Sequence, residues 1–470
     1  MSETRDLVII GAGPAGLAAG AEARAHGLAP LILDEQPEPG GQIYRSVARV
    51  VARRPADLAF LGYDYAHGVA LVGAVTEVDR RQGATVWQIG PAGRDGVREV
   101  VWSEAGTAHR VRARAVLIAS GAMERPIPIP GWTLPGVTTV GALQVALKQA
   151  AIHPAGRVVL AGQGPLLLLL AAQLAAARIP VAAILDTQPP GRLSAAMWHL
   201  PMAVLGAWDT LLKGVTLLRQ RSGADVAVWR HVTGLRAEGD GKVRAVRFRD
   251  ASGRGVALDA DLLALHEGVV PNPQLSRLVG AEHRWHPSQR CFHPVLDDWG
   301  ESTASGVFVA GDGGGILGAR AAEASGRLAA LRIAERQGWL AESARDFLGQ
   351  ASLTRCWRER TLRRFLDALH PAPDWIATPE DDAIVCRCEE ITAGEIRSIA
   401  GHAAGPNQAK AYLRCGMGPC QGRMCGLTMT EMIAQARGVS PAVTGYLTIR
   451  PPIKPVTVDE MASLAEKTVS

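Results

Sequence analysis

The chain has 470 residues, 52 of them glycine, a formal net charge of +5 and only 5% aromatic residues. That length predicts two to four domains with ample material for a buried core, and the composition suits an α/β fold with many tight strand–helix turns. The charge is small for the size and no long Lys/Arg block occurs, so nothing speaks for a nucleic-acid partner.

The first element is "DLVIIGAGPAGLAAG", an apolar strand, a glycine turn and an Ala/Leu helix. "MSETRDLVII" runs from charged residues straight into that strand without a cleavage site, so no signal peptide and a cytoplasmic setting are expected. Gly11, Gly13 and Gly16 form G-x-G-x-x-G. Gly11 permits the tight turn, Gly13 lets the backbone approach a pyrophosphate, and Gly16 lets helix and strand pack closely. Pro14 and Ala15 open the helix, whose N-terminal N–H groups face the phosphates. The next strand, "PLILDEQ", ends in Asp34 and Glu35, where a carboxylate can hold a ribose hydroxyl. In "PGGQIYR", Gly40, Gly41 and Gln42 offer a glycine-rich backbone to a flavin. Ala119, Ser120 and Gly121, in "IASGA", form the strand-end turn expected where the chain leaves this first domain. A proline-rich crossing follows.

A second strand–turn–helix unit, "RVVLAGQGPLLLLLA", echoes the first. Gly162 and Gly164 begin its turn, but Leu167 takes the third glycine position, and Asp186 closes the following strand. Asp186 suits a ribose and disfavours a 2′-phosphate. Three readings stay open here: an NAD site, a structural domain without nucleotide, and an adenine nucleotide bound without a redox role. The stretch from Val158 to Ala177 carries no charge and is long enough to span a membrane, but "GQGP" breaks it, so a buried βα unit and no transmembrane segment are expected. His266 and Glu267 are read as a turn at the exit from this domain, with a catalytic role as the alternative. "GVFVAGD" then returns to the first domain, bringing Gly311 and Asp312 to a ribityl chain and Gly318 and Ala319 to the start of the following helix. No redox C-x-x-C or C-x-x-x-x-C occurs in either domain. Cys291 and Cys356 are isolated and are expected to be buried. Leu353, Trp357, Phe365 and Leu369 are expected on one helix face, with the surrounding arginines on a solvated one.

Five of the seven cysteines fall in "IVCRCEE" and "YLRCGMGPCQGRMCG". In a reducing compartment such clustering points to metal or catalysis rather than disulfides. Four thiolates can close a 2Fe–2S cluster. Zinc is the rival, though C-x-C with C-x-x-x-x-C is not its usual ribbon spacing. The glycines of "GMGPCQG" let backbone N–H groups turn toward sulfur.

Four of these pieces in order, the glycine turn with Asp34, "PGGQIYR", "IASGA" and "GVFVAGD", resemble the two-dinucleotide-domain flavoprotein disulfide reductases over roughly residues 1–335. Residues 381 to about 440 resemble the bacterioferritin-associated-ferredoxin-like domain. By that resemblance Cys386, Cys388, Cys420 and Cys425 are the metal ligands and Cys415 is spare, while the fifth thiol leaves another ligand set open. Taken whole, "DEQPEPGGQIYR", "GMGPCQGRMCG" and "IRPPIKPVTVDE" resemble the α subunits of heteromeric amino-acid dehydrogenases, a group that includes opine oxidases, hydrogen cyanide synthase and proline or hydroxyproline dehydrogenases.

The resemblance implies a disulfide-reductase-like α/β flavoprotein with a small C-terminal helical iron–sulfur domain. It implies FAD, a 2Fe–2S cluster, and in some members FMN at a subunit contact. The implied partners are a glycine-oxidase or D-amino-acid-oxidase-like flavoprotein β subunit together with a small ferredoxin-like subunit, in a heteromer that can place the chain peripherally at the inner membrane. The expected spans are 1–130 and 274–335 for the FAD domain, 131–273 for the second nucleotide-type domain, 336–380 for a helical linker, 381–440 for the 2Fe–2S domain and 441–470 for an extended tail. The function expected is an electron-transfer subunit. The alternatives are a stand-alone NAD(P)H reductase and a cluster-based redox sensor.

Overall fold

The computed structural model describes residues 4–222 and 226–469; the expected spans 1–130, 131–273 and 441–470 thus each include residues outside the description. The strands Thr4–Ile10 (β1), Pro30–Asp34 (β2), Asp79–Gln82 (β3), Thr85–Ile89 (β4), Arg98–Glu104 (β5) and Thr107–Ile118 (β6) form one sheet in the order β3-β2-β1-β6-β5-β4. The strand Val307–Val309 returns from far along the chain to pair in parallel with β6. β2 is buried at every position and β1 over its last four, the continuous apolar run of a parallel strand covered on both faces.

Pairing in register sets the strand ends side by side. Ile10 lies opposite both Leu33 and Ile118, and Val309 lies opposite Ile118. All the turns expected to cradle a flavin therefore leave one edge of one sheet. The helix Pro14–Ala25 starts on a proline at its first turn, where the missing N–H costs nothing. It packs against the helix Ala319–Arg336 so closely that a Cβ on Gly326 would lie 2.1 Å from the Ala15 carbonyl oxygen.

A second parallel sheet runs Ala227–Arg230, Val181–Asp186, Val158–Gly162, Leu262–His266, Val137–Thr139. The uncharged run from Val158 divides into a strand and the helix Pro165–Ala176. Among the described residues no helix is long and apolar enough to cross a membrane.

The segment expected as a helical linker contains a 28-residue helix, Glu342–Leu369, that buries Cys356, Leu362 and Phe365. Trp357 is 45% exposed rather than on the buried face. At 3.6 residues per turn, the face carrying Cys356 turns its sequence neighbour outward. Arg355, Arg360 and Arg363 of this helix pair with Glu359, Asp298 and Asp367 of the same chain.

The cysteine segment forms a two-stranded ribbon, Ile384–Cys386 with Ile391–Thr392, and the helices Ala393–Ala400, Pro406–Leu413 and Gly426–Ala436. The first of these helices is closed by a capping box in which Thr392 and Glu395 satisfy each other's backbone N–H. The tail, expected to be extended throughout, includes the short helix Pro441–Thr444 and ends in the helix Val458–Val469. It folds back on the first sheet: Ile453 N–H donates to the Trp87 carbonyl at 3.0 Å, and Ala108 N–H donates to Ser463 Oγ at 2.9 Å.

Candidate functional site

The first glycine turn is as tight as its sequence requires. Gly11 has φ +110°, and a Cβ there would lie 2.5 Å from the Ala119 carbonyl oxygen. A Cβ on Gly16 would lie 1.9 Å from the Gly11 carbonyl oxygen. The backbone of Gly41 crosses directly over Gly13, because a Cβ on Gly41 would reach the Gly13 Cα at 2.8 Å. Gly40 N–H donates to the Ala12 carbonyl at 2.8 Å and ties the two loops together. These close approaches leave a strip of bare backbone beside the N-terminus of Pro14–Ala25, the geometry that receives a pyrophosphate.

Asp34 is buried at the end of β2. Its Oδ1 accepts from Gln36 N–H at 2.7 Å and its Oδ2 accepts from Ala12 N–H. Burial raises its pKa against those two donors. Glu35, expected beside it at the ribose, is half-exposed and pairs with Lys454 of the tail at 2.5 Å. The Ser120 hydroxyl is buried without a hydrogen-bond partner among the described residues. Asp312 Oδ1 accepts from Leu317 and Gly318 N–H, each at 2.9 Å, and so shapes the loop leading to Ala319. An orphaned Ser120 hydroxyl, bare backbone at Gly11 and Gly41 packed too closely for side chains, and two helix N-termini fit FAD.

Lys148 also belongs to this site, and nothing local in the sequence marks it. From the helix Val140–Ala150 its buried Nζ donates to the Ile43 carbonyl at 2.9 Å and to Gln144 Oε1 at 3.0 Å, bracing the Gly41–Arg45 loop from the second domain. Burial lowers its pKa to about 7.

The second glycine turn is different. Leu167 is buried where a third glycine would sit. Gln163 Nε2 donates to Glu267 Oε2 at 3.1 Å and to the Pro371 carbonyl at 2.8 Å. Gln188 Nε2 donates to the Leu369 carbonyl at 2.6 Å. The segment after the long helix thus crosses the ends of both strands that flank the turn. Glu267 is buried, accepts from Thr187 Oγ1 and Gln163, and is pushed by burial up to about 7. His266 meets Glu124 at 2.8 Å. Gly162, Gly164 and Asp186 are where the sequence places them, but the mouth between them is spanned by the chain itself.

The cysteine segment brings five sulfurs together in two groups. Cys386, Cys415 and Cys425 are buried, with their sulfurs all within 4.8 Å of one another. Cys388, exposed, and Cys420, half-buried, contact each other. Thiols from Cys415 and Cys425, then the N–H groups of Gly416 and Glu389, hydrogen-bond to the Cys386 sulfur and hold its pKa well below the ordinary thiol value. Every donor here is sulfur, the ligand type of a 2Fe–2S centre, and its division into a pair and a trio suits two irons better than one tetrahedral zinc. Cys415, spare by the sequence resemblance, lies inside the cage. Cys291 and Cys356 are buried elsewhere, and burial raises both thiols, Cys291 to about 12.

The cage packs against the cradle. Asn272 N–H donates to the Gly121 carbonyl at 3.1 Å, and Gln274, two residues on, donates from Nε2 to the Gln421 carbonyl beside Cys420 at 3.1 Å. The Arg277 guanidinium lies against both Phe292 and Tyr446, 4.8 and 4.5 Å from their ring centres, and the two rings themselves meet edge-on at 5.8 Å. Burial lowers Arg277 to about 10 and raises the Tyr446 phenol. Nothing in the sequence marks Gln274, Arg277 and Tyr446, since only tertiary packing puts them between two sites.

The pyridine nucleotide-disulphide oxidoreductase family model matches residues 5–338, and the sarcosine oxidase A3 domain matches residues 385–465. An opine oxidase subunit of Agrobacterium tumefaciens (strain Ach5) is 44% identical, over 99% of this chain and 92% of its own length. Hydrogen cyanide synthase subunit HcnB of Pseudomonas aeruginosa is 30% identical, over 97% of this chain and 98% of its own length. In fold, the chain is similar to the crystal structure of L-proline dehydrogenase from P. horikoshii, with a TM-score of 0.71 at 18% identity, over 98% of this chain and 79% of that one.

Proposed function

Because the chain belongs to the pyridine nucleotide-disulphide oxidoreductase family and shares nearly its whole length with an opine oxidase subunit, we propose that it is the FAD- and 2Fe–2S-containing electron-transfer subunit of a heteromeric amino-acid, imino-acid or opine dehydrogenase. When bound, a flavin accepts electrons in pairs and releases them singly, and a 2Fe–2S cluster carries one at a time.

The observation that carries this reading is the contact between cradle and cage. Gln274 joins the loop behind Gly121 to the loop holding Cys420, which fixes one site against the other. In the cradle, Asp34 orders the turn through Ala12, Lys148 holds the Gly41–Arg45 loop, and Asp312 shapes the loop leading to the helix beginning at Ala319. In the cage, Cys386, Cys388, Cys420 and Cys425 are the proposed ligands, and Gly416 and Glu389 direct N–H groups at sulfur. The second reading, a stand-alone NAD(P)H reductase, is opposed by Leu167 and by the 369–371 segment across the second turn.

In the first reading the oxidising pocket lies on a glycine-oxidase-like flavoprotein β subunit, and a small ferredoxin-like subunit and FMN at a subunit contact are components that some members of the resembled group add. The test is to assay a panel of amino acids, imino acids and opines with an artificial dye. The chain alone should show no turnover, and the chain with its β partner should be active. Substantial turnover by the chain alone, free of partner, would overturn the proposal.

A further inference from the structure

The five C-terminal sulfurs are not four ligands and a distant bystander. A 2Fe–2S centre held by four thiolates takes two on each iron. The contacting pair Cys388 and Cys420 supplies two sulfurs at the exposed edge of the cage. That leaves the inner iron with three buried candidates, Cys386, Cys415 and Cys425, each sulfur within 4.8 Å of the other two.

Cys386 is singled out by its surroundings. It lies on the ribbon strand Ile384–Cys386, receives the N–H groups of Gly416 and Glu389, and accepts from both other thiols. The sulfurs of Cys415 and Cys425 each lie within 4.8 Å of its own. They approach from opposite ends of one loop, 416–424, and each has its own anchor. Cys415 follows Arg414, the left-handed residue that ends the helix Pro406–Leu413. Cys425 is the N-cap of the helix Gly426–Ala436. Removing one sulfur leaves the other's anchor in place.

We infer that Cys415 and Cys425 are interchangeable ligands of the inner iron, so that the chain holds its cluster with one sulfur in reserve. The inference rests on the cluster reading above. Exchange is balanced: one Fe–S(Cys) bond breaks as another forms, the arriving thiol passes its proton to the departing thiolate, and no electron is gained or lost. The reserve thiol remains beside the metal as an S–H donor to bound sulfur.

The test uses the full chain, purified anaerobically with its flavin, as wild type, Cys415→Ala, Cys425→Ala, the double variant and Cys386→Ala. Iron content, visible circular dichroism and the EPR spectrum after reduction are compared, with flavin content as the check on folding. Both single variants should keep wild-type iron, with spectra that differ from each other, while the double variant and Cys386→Ala lose it. Loss of iron from Cys425→Ala equal to that of the double variant, at unchanged flavin content, would overturn the inference alone. If Cys425→Ala also loses flavin, Cys425→Ser decides: resonance Raman bands of all-thiolate ligation support the exchange, and a serinate-ligated iron or loss of iron overturns it. Wild-type protein holding zinc or no iron would overturn the cluster reading itself, and the inference with it.

Discussion

Gln163 donates from Nε2 to the Pro371 carbonyl at 2.8 Å, and this bond pins the segment after the long helix across the second glycine turn. With Gln188 bonded to the Leu369 carbonyl, both strand ends that would receive a dinucleotide face the chain's own backbone. NADH added anaerobically to the purified chain should therefore leave the flavin absorbance unchanged. Stopped-flow spectroscopy checks this, and rapid bleaching at micromolar NADH would contradict it.

Asp34 orders the first turn by accepting two hydrogen bonds, a buried one from Ala12 N–H and a partly buried one from Gln36 N–H. Asp34→Asn can keep only one of them as an acceptor. Hydrogen bonds to a charged group contribute about 1.5–3 kcal/mol, so FAD affinity should fall by about tenfold or more. Titration of the apoprotein with FAD by fluorescence quenching measures the change, and an unaltered Kd would show that Asp34 plays no part in binding.

Gly16 has no room for a side chain, since a Cβ would sit 1.9 Å from the Gly11 carbonyl oxygen. Gly16→Ala must push the helix Pro14–Ala25 off β1 and, through Ala15, disturb Gly326. Overpacking of this kind costs about 1–3 kcal/mol. The variant should purify with little flavin and a lowered melting temperature in a thermal scan.

Glu267 gives stability a pH dependence of unusual sign for a carboxylate. Its folded pKa, about 7, lies above the ordinary 4.5, because burial outweighs the bonds from Thr187 and Gln163. The native state then holds the proton more tightly than the unfolded one. Its contribution is fully present below about pH 4.5 and is lost as the pH rises through about 7. Glu267→Gln removes that loss, and Gln163 Oε1, which has no partner among the described residues of the wild-type chain, can accept from the new amide. The melting temperature of the variant should gain on wild type from about pH 5 to about pH 8, a change worth about 3 kcal/mol. A constant difference across that range would show that Glu267 ionises normally. The half-buried histidines His283, His293 and His370, pushed down to about 3, 4 and 4, act in the opposite sense below about pH 6.5 and cancel in the comparison.

Much of the site is readable from local chemistry. The spacing of Gly11, Gly13 and Gly16, with Asp34 one strand later, encodes close backbone approach, and short-range sterics enforce it whatever surrounds it. Leu167 likewise announces a departure in the second turn, because a side chain at that position has to be buried. The clustering of five cysteines announces a sulfur site without its arrangement.

Tertiary structure decided how those pieces meet. Ile10, Leu33, Ile118 and Val309 are distant in sequence, and only their shared register sets four turns along one edge. Trp357, grouped with Leu353, Phe365 and Leu369 by spacing, is left half-exposed because periodicity defines a helix face, whereas which part of it is covered depends on its neighbours. Lys148, Gln274, Arg277 and Tyr446 lie in unremarkable stretches and acquire roles by packing between sites. Cys415 lies closer to Cys420 in sequence, but its sulfur joins those of Cys386 and Cys425, because the 416–424 loop doubles back. Sequence spacing limits which atoms can meet, and the path of the backbone selects among them.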